Sequence, residues 1–247
     1  MSRIKFMNIE LDNLTMEESI DRIDYLVREN KNAYAVTPNV DHLVQLQKDN
    51  KLLEIYRNAD LILTDGKPLL WIAKLYRTPI KEKVSGSDLF PEICALSALK
   101  GYRMFFLGAS EGVAYEAAKR LQKKYNGLQV VGTYSPPYGF EKDRKEIENI
   151  IDMIKSVNPH ILIVGLGAPK QEKFIYQYKS KLGVPFSIGL GASLDFEAGN
   201  IKRAPRWMSN CGLEWLYRFI KEPKRMFKRY FINDMKIISL TRKYYKK

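Results

Sequence analysis

The residues best suited to chemistry stand where short apolar runs end. Asp65 follows LILT (61–64) and precedes Gly66. A carboxylate at the carboxyl end of a buried strand can take the proton from a hydroxyl as that oxygen attacks. Asp-Gly is also a common turn pair, so a turn-former or helix cap is the competing reading. Thr37 and Asn39 close another apolar run in TPN (37–39), again either as ligand contacts or as turn chemistry. Gly108 ends a third run, in FFLGAS (105–110). In GLGAPKQE (165–172), Gly165 and Gly167 precede a helix start whose exposed amides can bind an anion. Gln171 there could hydrogen-bond a base or a sugar, while Glu172 could equally complement the helix dipole. The turn is not a GxGxxG fingerprint. Lys170 fills the third glycine position, and Gly189 and Gly191 stand where a ribose-binding acid would be expected.

No Asp-x-Asp pair occurs, and His42 and His160 are the two histidines, far apart. The sequence therefore predicts no metal site and no cofactor. A leaving diphosphate would then need cationic side chains and backbone amides.

The elements that must position these groups alternate. Strand candidates cover 4–11, 33–36, 61–64, 103–107, around 130–131, 160–165 and 185–189. Helices are expected over about 15–27, 40–59, 67–76, 87–99, 111–125 (with Ser110 as cap), 141–157 and 170–181. Thr15 with Glu18 reads as a capping box. Runs such as 104–107 and 161–164 are apolar throughout, as in strands covered on both faces. The expected fold is α/β and Rossmann-like: a mainly parallel sheet with helices on both faces, plus a basic helical C-terminal appendage.

Charge marks the boundary. The 247 residues carry a net charge of +13, and residues 200–247 hold 14 Lys/Arg against 3 Asp/Glu. The chain divides into an α/β core, 1–199, and a basic amphipathic appendage, 200–247. Leu213, Leu216, Tyr217 and Ile220 recur at helical spacing, Pro223 should break that helix, and Met226, Phe227, Tyr230 and Phe231 continue beyond it among lysines and arginines. This composition suits an anionic membrane surface, and also single-stranded nucleic acid, or simply a helix packed on the core with its basic face in water. The segment MSRIKFMNIELDN lacks a signal-peptide core, and no run of about 18 uncharged apolar residues occurs. Cys94 and Cys211 form no ligand or disulfide pattern, which fits a reducing compartment.

TPNVDHLVQLQKD (37–49), LILTDG (61–66), VSGSDL (84–89), FFLGAS (105–110), GLGAPKQEKFI (165–175), GLGASLDFEAGNIKRAP (189–205) and GLEWLYRFIKEPKR (212–225) together resemble the WecG/TagA/CpsF family of bacterial glycosyltransferases. The resemblance implies an inverting, metal-independent transferase. It would use a UDP-sugar donor, often UDP-N-acetylmannosamine, and extend an undecaprenyl-diphosphate-linked saccharide for teichoic acid or another surface polysaccharide. By the same resemblance Asp65 matches the catalytic base, Thr37 a pocket residue, and Gln171 a nucleotide-side glutamine. Arg218 and Arg225 match diphosphate-binding arginines of the appendage. Lys228 stands in place of a third arginine, keeping its charge without the two-pronged geometry. The protein would work in the cytoplasm, peripherally at the inner face of the membrane, with no nucleic-acid partner; a homo-oligomer is left open. A nucleic-acid-binding protein would explain the basic appendage but not the motifs around Asp65 and Gln171. A nucleotide-dependent oxidoreductase would need the glycine fingerprint that is incomplete here.

Overall fold

The computed structural model describes residues 3–245; the side chains of Arg206, Asn210 and Arg225 lie outside that description. The chain begins with β1 (Arg3–Phe6), β2 (Ile9–Asp12), α1 (Met16–Glu29), β3 (Ala33–Val36), α2 (Val40–Gln45), α3 (Asn50–Arg57) and β4 (Leu61–Ile62). It continues through α4 (Lys67–Leu75), α5 (Gly86–Lys100), β5 (Arg103–Gly108), α6 (Val113–Lys124) and β6 (Gln129–Tyr134). Next come α7 (Arg144–Val157), β7 (Ile161–Gly165), α8 (Lys170–Leu182), β8 (Phe186–Gly189) and α9 (Ser193–Ala198). Beyond Gly199 lie α10 (Arg206–Asn210), α11 (Glu214–Lys221), α12 (Pro223–Phe227), a π-helical segment (Lys228–Asp234) and α13 (Lys236–Tyr245).

Six strands form one parallel sheet in the order β4-β3-β8-β7-β5-β6. Successive side chains in a strand point to opposite faces, so an apolar run feeds two cores. Phe105, Leu107, Leu162 and Val164 join one buried cluster, while Met104, Phe106, Ile161 and Ile163 join the other. That double burial is why these runs lack polar alternation. The fold is the expected Rossmann-like α/β architecture.

Several local expectations change. The candidate strand 4–11 is an antiparallel hairpin of β1 and β2, turning at Met7, which has φ 53°. Met7 is itself buried, so the apolar pattern runs through the turn and hides it. The helix expected over 40–59 is two helices; the Asp49 side chain accepts the Leu52 N–H at 2.9 Å and starts α3. Ser110 does not cap α6, which begins after Gly112 without a side-chain cap. The break expected at Pro223 is present, with Pro223 opening α12.

The end of the chain docks on the sheet's helical layer. Ile237, Leu240 and Tyr244 pack against the cluster that contains Phe6 and Leu43. Tyr244 Oη donates to Gln47 Oε1 at 3.0 Å, and Tyr76 Oη donates to the Thr241 carbonyl at 3.0 Å. Among the described residues no helix is long and apolar enough to cross a membrane.

Candidate active site

The strand order changes direction at β3, whose sequence neighbour β4 lies on one side and β8 on the other. At such a switch point the turns leaving the strands splay apart and open a crevice. The crevice here is a cavity of about 1450 Å³. Pockets for a single small ligand span roughly 300–1,000 Å³, so there is room for two substrates.

Thr37, Asn39, Asp65, Gly66, Gly165, Gly167, Gln171, Gly189, Gly191 and Arg218 all line it. Gly108 and Lys228 are not among its lining residues. Gly108 instead allows close packing: with φ +109°, a Cβ there would sit 2.7 Å from the Gly165 backbone. Lys228 is exposed at the start of the π-helical segment. The side chain of Arg225 lies outside the described residues. The appendage contributes Ser209, Glu214, Trp215, Arg218, Arg229 and Asp234 to the walls.

Asp65 is half-buried, its N–H donating to the Pro38 carbonyl at 2.9 Å. Its Oδ2 accepts from Asn39 Nδ2 at 3.3 Å. Burial pushes the Asp65 carboxyl above its ordinary value; Arg218, the Asn39 hydrogen bond and Lys83 oppose this, and Glu214 adds to it. A carboxylate so placed is partly desolvated, hence more basic, and is kept ionisable by nearby cations.

Asn39 caps α2 by accepting the His42 N–H at 3.3 Å. Gln171 is buried, with Oε1 accepting the Gly191 N–H at 3.0 Å and Nε2 donating to Glu172 at 2.9 Å. It thus ties α8 to the turn after β8, retaining one donor and one acceptor position for a ligand. Gly189 is required beneath it, since a Cβ there would meet Gln171 Nε2 at 2.7 Å.

Arg218 projects from α11, its guanidinium carbon 5.6 Å from the Phe196 ring centroid. Lys83 lies 2.8 Å from Asp88 and 3.6 Å from Glu214. Lys83 is held charged by Asp88, Glu214 and Asp65 against its burial. Asp88 falls to about 2 despite its burial, through Lys83, Ser85 and Arg203. Arg229 reaches the cavity from the π-helical segment and lies 3.6 Å from Asp41. Lys67, Lys83, Lys170, Arg218 and Arg229 are cations along the walls. Among the described residues no group of three or more His, Cys, Asp or Glu comes together as a metal cage.

Sequence reasoning did not single out Lys83, Glu214 or Arg229. Lys83 directly precedes VSGSDL, a nearby motif that could have drawn attention to it. Arg229 had no such signal, because helical register cannot be carried past Glu222, where the backbone leaves the helix at φ −134°, or through the π-helical widening.

The model of the glycosyl transferase WecG/TagA/CpsF family matches residues 4–247. The chain belongs to that family. It is a glycosyltransferase. A Bacillus spizizenii relative is 31% identical over 225 residues, covering 91% of this chain and 84% of that protein. It is named N-acetylglucosaminyldiphosphoundecaprenol N-acetyl-β-D-mannosaminyltransferase. A Bacillus subtilis protein of the same name is 31% identical, with 88% and 83% covered. One from Staphylococcus aureus is 26% identical, with 91% and 87% covered. The cavity that gathers Asp65, Asn39 and Arg218 is the candidate active site of this family member.

Proposed function

We propose that the protein transfers N-acetylmannosamine, or a related hexose, from a UDP-sugar to a saccharide carried on undecaprenyl diphosphate. The observation that carries this is the meeting, in one cavity, of a half-buried carboxylate on a strand-end turn with cations from the appendage. The names of the relatives support the lipid diphosphate acceptor and the mannosaminyl group.

The chemistry is a single displacement. The acceptor hydroxyl oxygen forms a bond to the donor's anomeric carbon. The bond from that carbon to the diphosphate oxygen breaks, and UDP departs with the electron pair. Asp65 takes the hydroxyl proton. Arg218 and the other cations lining the cavity offset the charge that develops on the leaving diphosphate, so no resident divalent metal is required. One displacement inverts the anomeric centre.

The acceptor's polyprenyl chain requires the cavity mouth to meet a membrane. Trp207, Ile220, Phe227, Ile232 and Ile238 are exposed on the appendage among its lysines and arginines. That mixture suits peripheral attachment to an anionic, cytoplasm-facing leaflet.

The test incubates the full chain with a polyprenyl-diphosphate-linked N-acetylglucosamine and a panel of UDP-sugars, with and without EDTA. Products are read by mass and anomeric configuration. One donor should give a single-sugar adduct with an inverted linkage, undiminished by EDTA. No adduct from any UDP-sugar would overturn the reading; loss with EDTA and recovery with magnesium or manganese would overturn its metal-free part.

A further inference from the structure

A line of polar side chains runs from Asp65 into the interior and surfaces at another turn of the cavity. Asp65 accepts from the Asn39 carboxamide at 3.3 Å. His42 Nδ1 lies 3.2 Å from the Asn39 backbone nitrogen and 2.9 Å from Asn39 Oδ1. On the other edge of the ring, His42 Nε2 faces Glu172 Oε1 at 3.8 Å. That carboxylate oxygen accepts from Gln171, whose own oxygen holds the Gly191 N–H. His42 is 6% exposed and Glu172 3%. His42 Nε2 and Glu172 Oε2 have no hydrogen-bond partner among the described residues. Burying two such groups side by side is costly, so their pairing calls for a compensating role.

We propose that Glu172 and His42 form a positioning pair for Asp65: Glu172 keeps the imidazole proton on Nε2, Nδ1 then accepts the Asn39 N–H, and the locked turn holds the Asn39 NH2 on Asp65. The inference rests on the reading of Asp65 as the base. The order of events follows from the ring having one proton when neutral. A proton on Nδ1 would point at Asn39 Oδ1 and remove the acceptor of the Asn39 N–H. A proton on Nε2, drawn there by the Glu172 carboxylate 3.8 Å away, keeps that acceptor at the cost of facing the Nδ1 lone pair to Asn39 Oδ1 at 2.9 Å, and it leaves Asn39 Oδ1 to the His42 N–H, which turns the carboxamide NH2 towards Asp65.

The electrostatics agree. Burial lowers His42 to about 4, against the pull of Asp41 and with a push from Arg229, so the ring is neutral. Burial raises Glu172 to about 6, opposed by Gln171, leaving it a carboxylate at neutral pH. The charged groups acting on Asp65 are Arg218 and Glu214 of α11 and Lys83 ahead of α5; Tyr56 of α3 also feels its charge. Asn39 is the hydrogen-bond donor among the influences that keep Asp65 down against burial.

Two independent readouts test this: the carboxyl-carbon NMR titration of Asp65 in the full chain, and kcat with KM for transfer. His42→Leu and Glu172→Met each remove a link. Each should raise the Asp65 titration by about one pH unit and lower kcat about tenfold, with KM little changed. The double variant should match either single one, because both act through one path. His42→Asn places an oxygen where Nδ1 stands, and Glu172→Gln keeps an acceptor towards Nε2; both should return the titration to its wild-type position. Equal titrations for His42→Leu and His42→Asn in folded proteins would overturn the proposal, as would full additivity in the double variant. Should the titrations follow the pattern while the wild-type protein transfers no sugar, the pair stands and the reaction assignment falls.

Discussion

The floor of the cavity and its appendage wall hold their functional groups by different means. On the floor, Asp65 and Asn39 are short side chains on turns leaving buried strands, and Gln171, in the first turn of α8, is buried and bonded to Gly191 and Glu172. Backbone bonds such as Asp65 N–H to the Pro38 carbonyl at 2.9 Å fix each turn. On the wall, Arg218 is exposed on α11 and rests on the Phe196 ring, while Arg229 lies 3.6 Å from Asp41. A short side chain on a bonded turn has little rotamer freedom to lose; a long one on an exposed helix has much. The floor is thus suited to a step that needs preset geometry, the proton transfer. The wall is suited to gripping an anion whose position changes as a bond breaks.

The sharpest way to break this contrast is at the floor. Asp65→Asn keeps the shape and the contact with Asn39 but removes the proton acceptor. Turnover should fall roughly 10²–10⁴-fold. Thermal unfolding should change little, because a desolvated carboxylate is replaced by a neutral group. A folded Asp65→Asn protein with near-normal turnover would remove Asp65 from the role of base.

At the wall the loss should be smaller and graded. Arg218→Ala deletes one charge-assisted contact, worth about 1.5–3 kcal/mol, or about 10–100-fold in turnover. Binding to anionic vesicles should drop far less, since each basic residue near the surface contributes about 1 kcal/mol and many others remain. Measuring both on one preparation separates the roles. Equal losses in turnover and vesicle binding would make Arg218 an anchor.

The buried pair beside the floor makes an opposing prediction about pH. Glu172 titrates at about 6 in the folded chain against an ordinary 4.5. Between those values the folded chain keeps a proton that the unfolded chain has lost, so stability falls as pH rises from 4.5 through about 6. The effect is about 2 kcal/mol. Glu172→Gln should abolish it, gaining stability relative to wild type across that window in urea titrations. His42, lowered to about 4 from 6.5, loses stability as pH falls through the same range, and that slope should survive in the variant. A constant difference between the two proteins from pH 4 to 7 would show that Glu172 is not perturbed by its burial.

The floor was the more legible part. Runs such as ILIV (161–164) can hardly be anything but strands covered on both faces, and Asp65, TPN and GLGAPKQE stand at their ends. Ten of the site candidates named from sequence line the cavity, nine of them at strand ends or in the segments that follow them for that reason, while Arg218 reaches it from α11. The wall was less legible because its register depends on tertiary docking. Lys228 was singled out by the family resemblance, yet Arg229 faces the cavity after the break at Glu222 and the π-helical turn. The hairpin of β1 and β2 was hidden by a buried methionine at the first position of its turn, and the Asn8 that follows is a turn signal the sequence reading passed over. Glu172 showed as a polar residue at a helix start; nothing in its neighbours reveals that β3 brings His42 beside it.

The smallest effect tests whether floor and wall form one cooperative unit. The charge boundary near Gly199 suggests a separable appendage, whereas Ile237, Leu240 and Tyr244 pack into the core cluster. Tyr244→Phe removes only the hydroxyl that donates to Gln47 Oε1 at 3.0 Å. A net hydrogen bond of this kind contributes about 1 kcal/mol. In a chain of this size that lowers the melting temperature by about 2–4 °C if the lost bond belongs to the unit that melts. Calorimetry should therefore give one transition, displaced downward as a whole. If the appendage melts by itself, the variant should instead show an early minor transition that moves and a major one that stays. The wall would then be an independently folding clamp, and Arg218 would reach the cavity only in the docked fraction, so turnover should fall with temperature before the core unfolds.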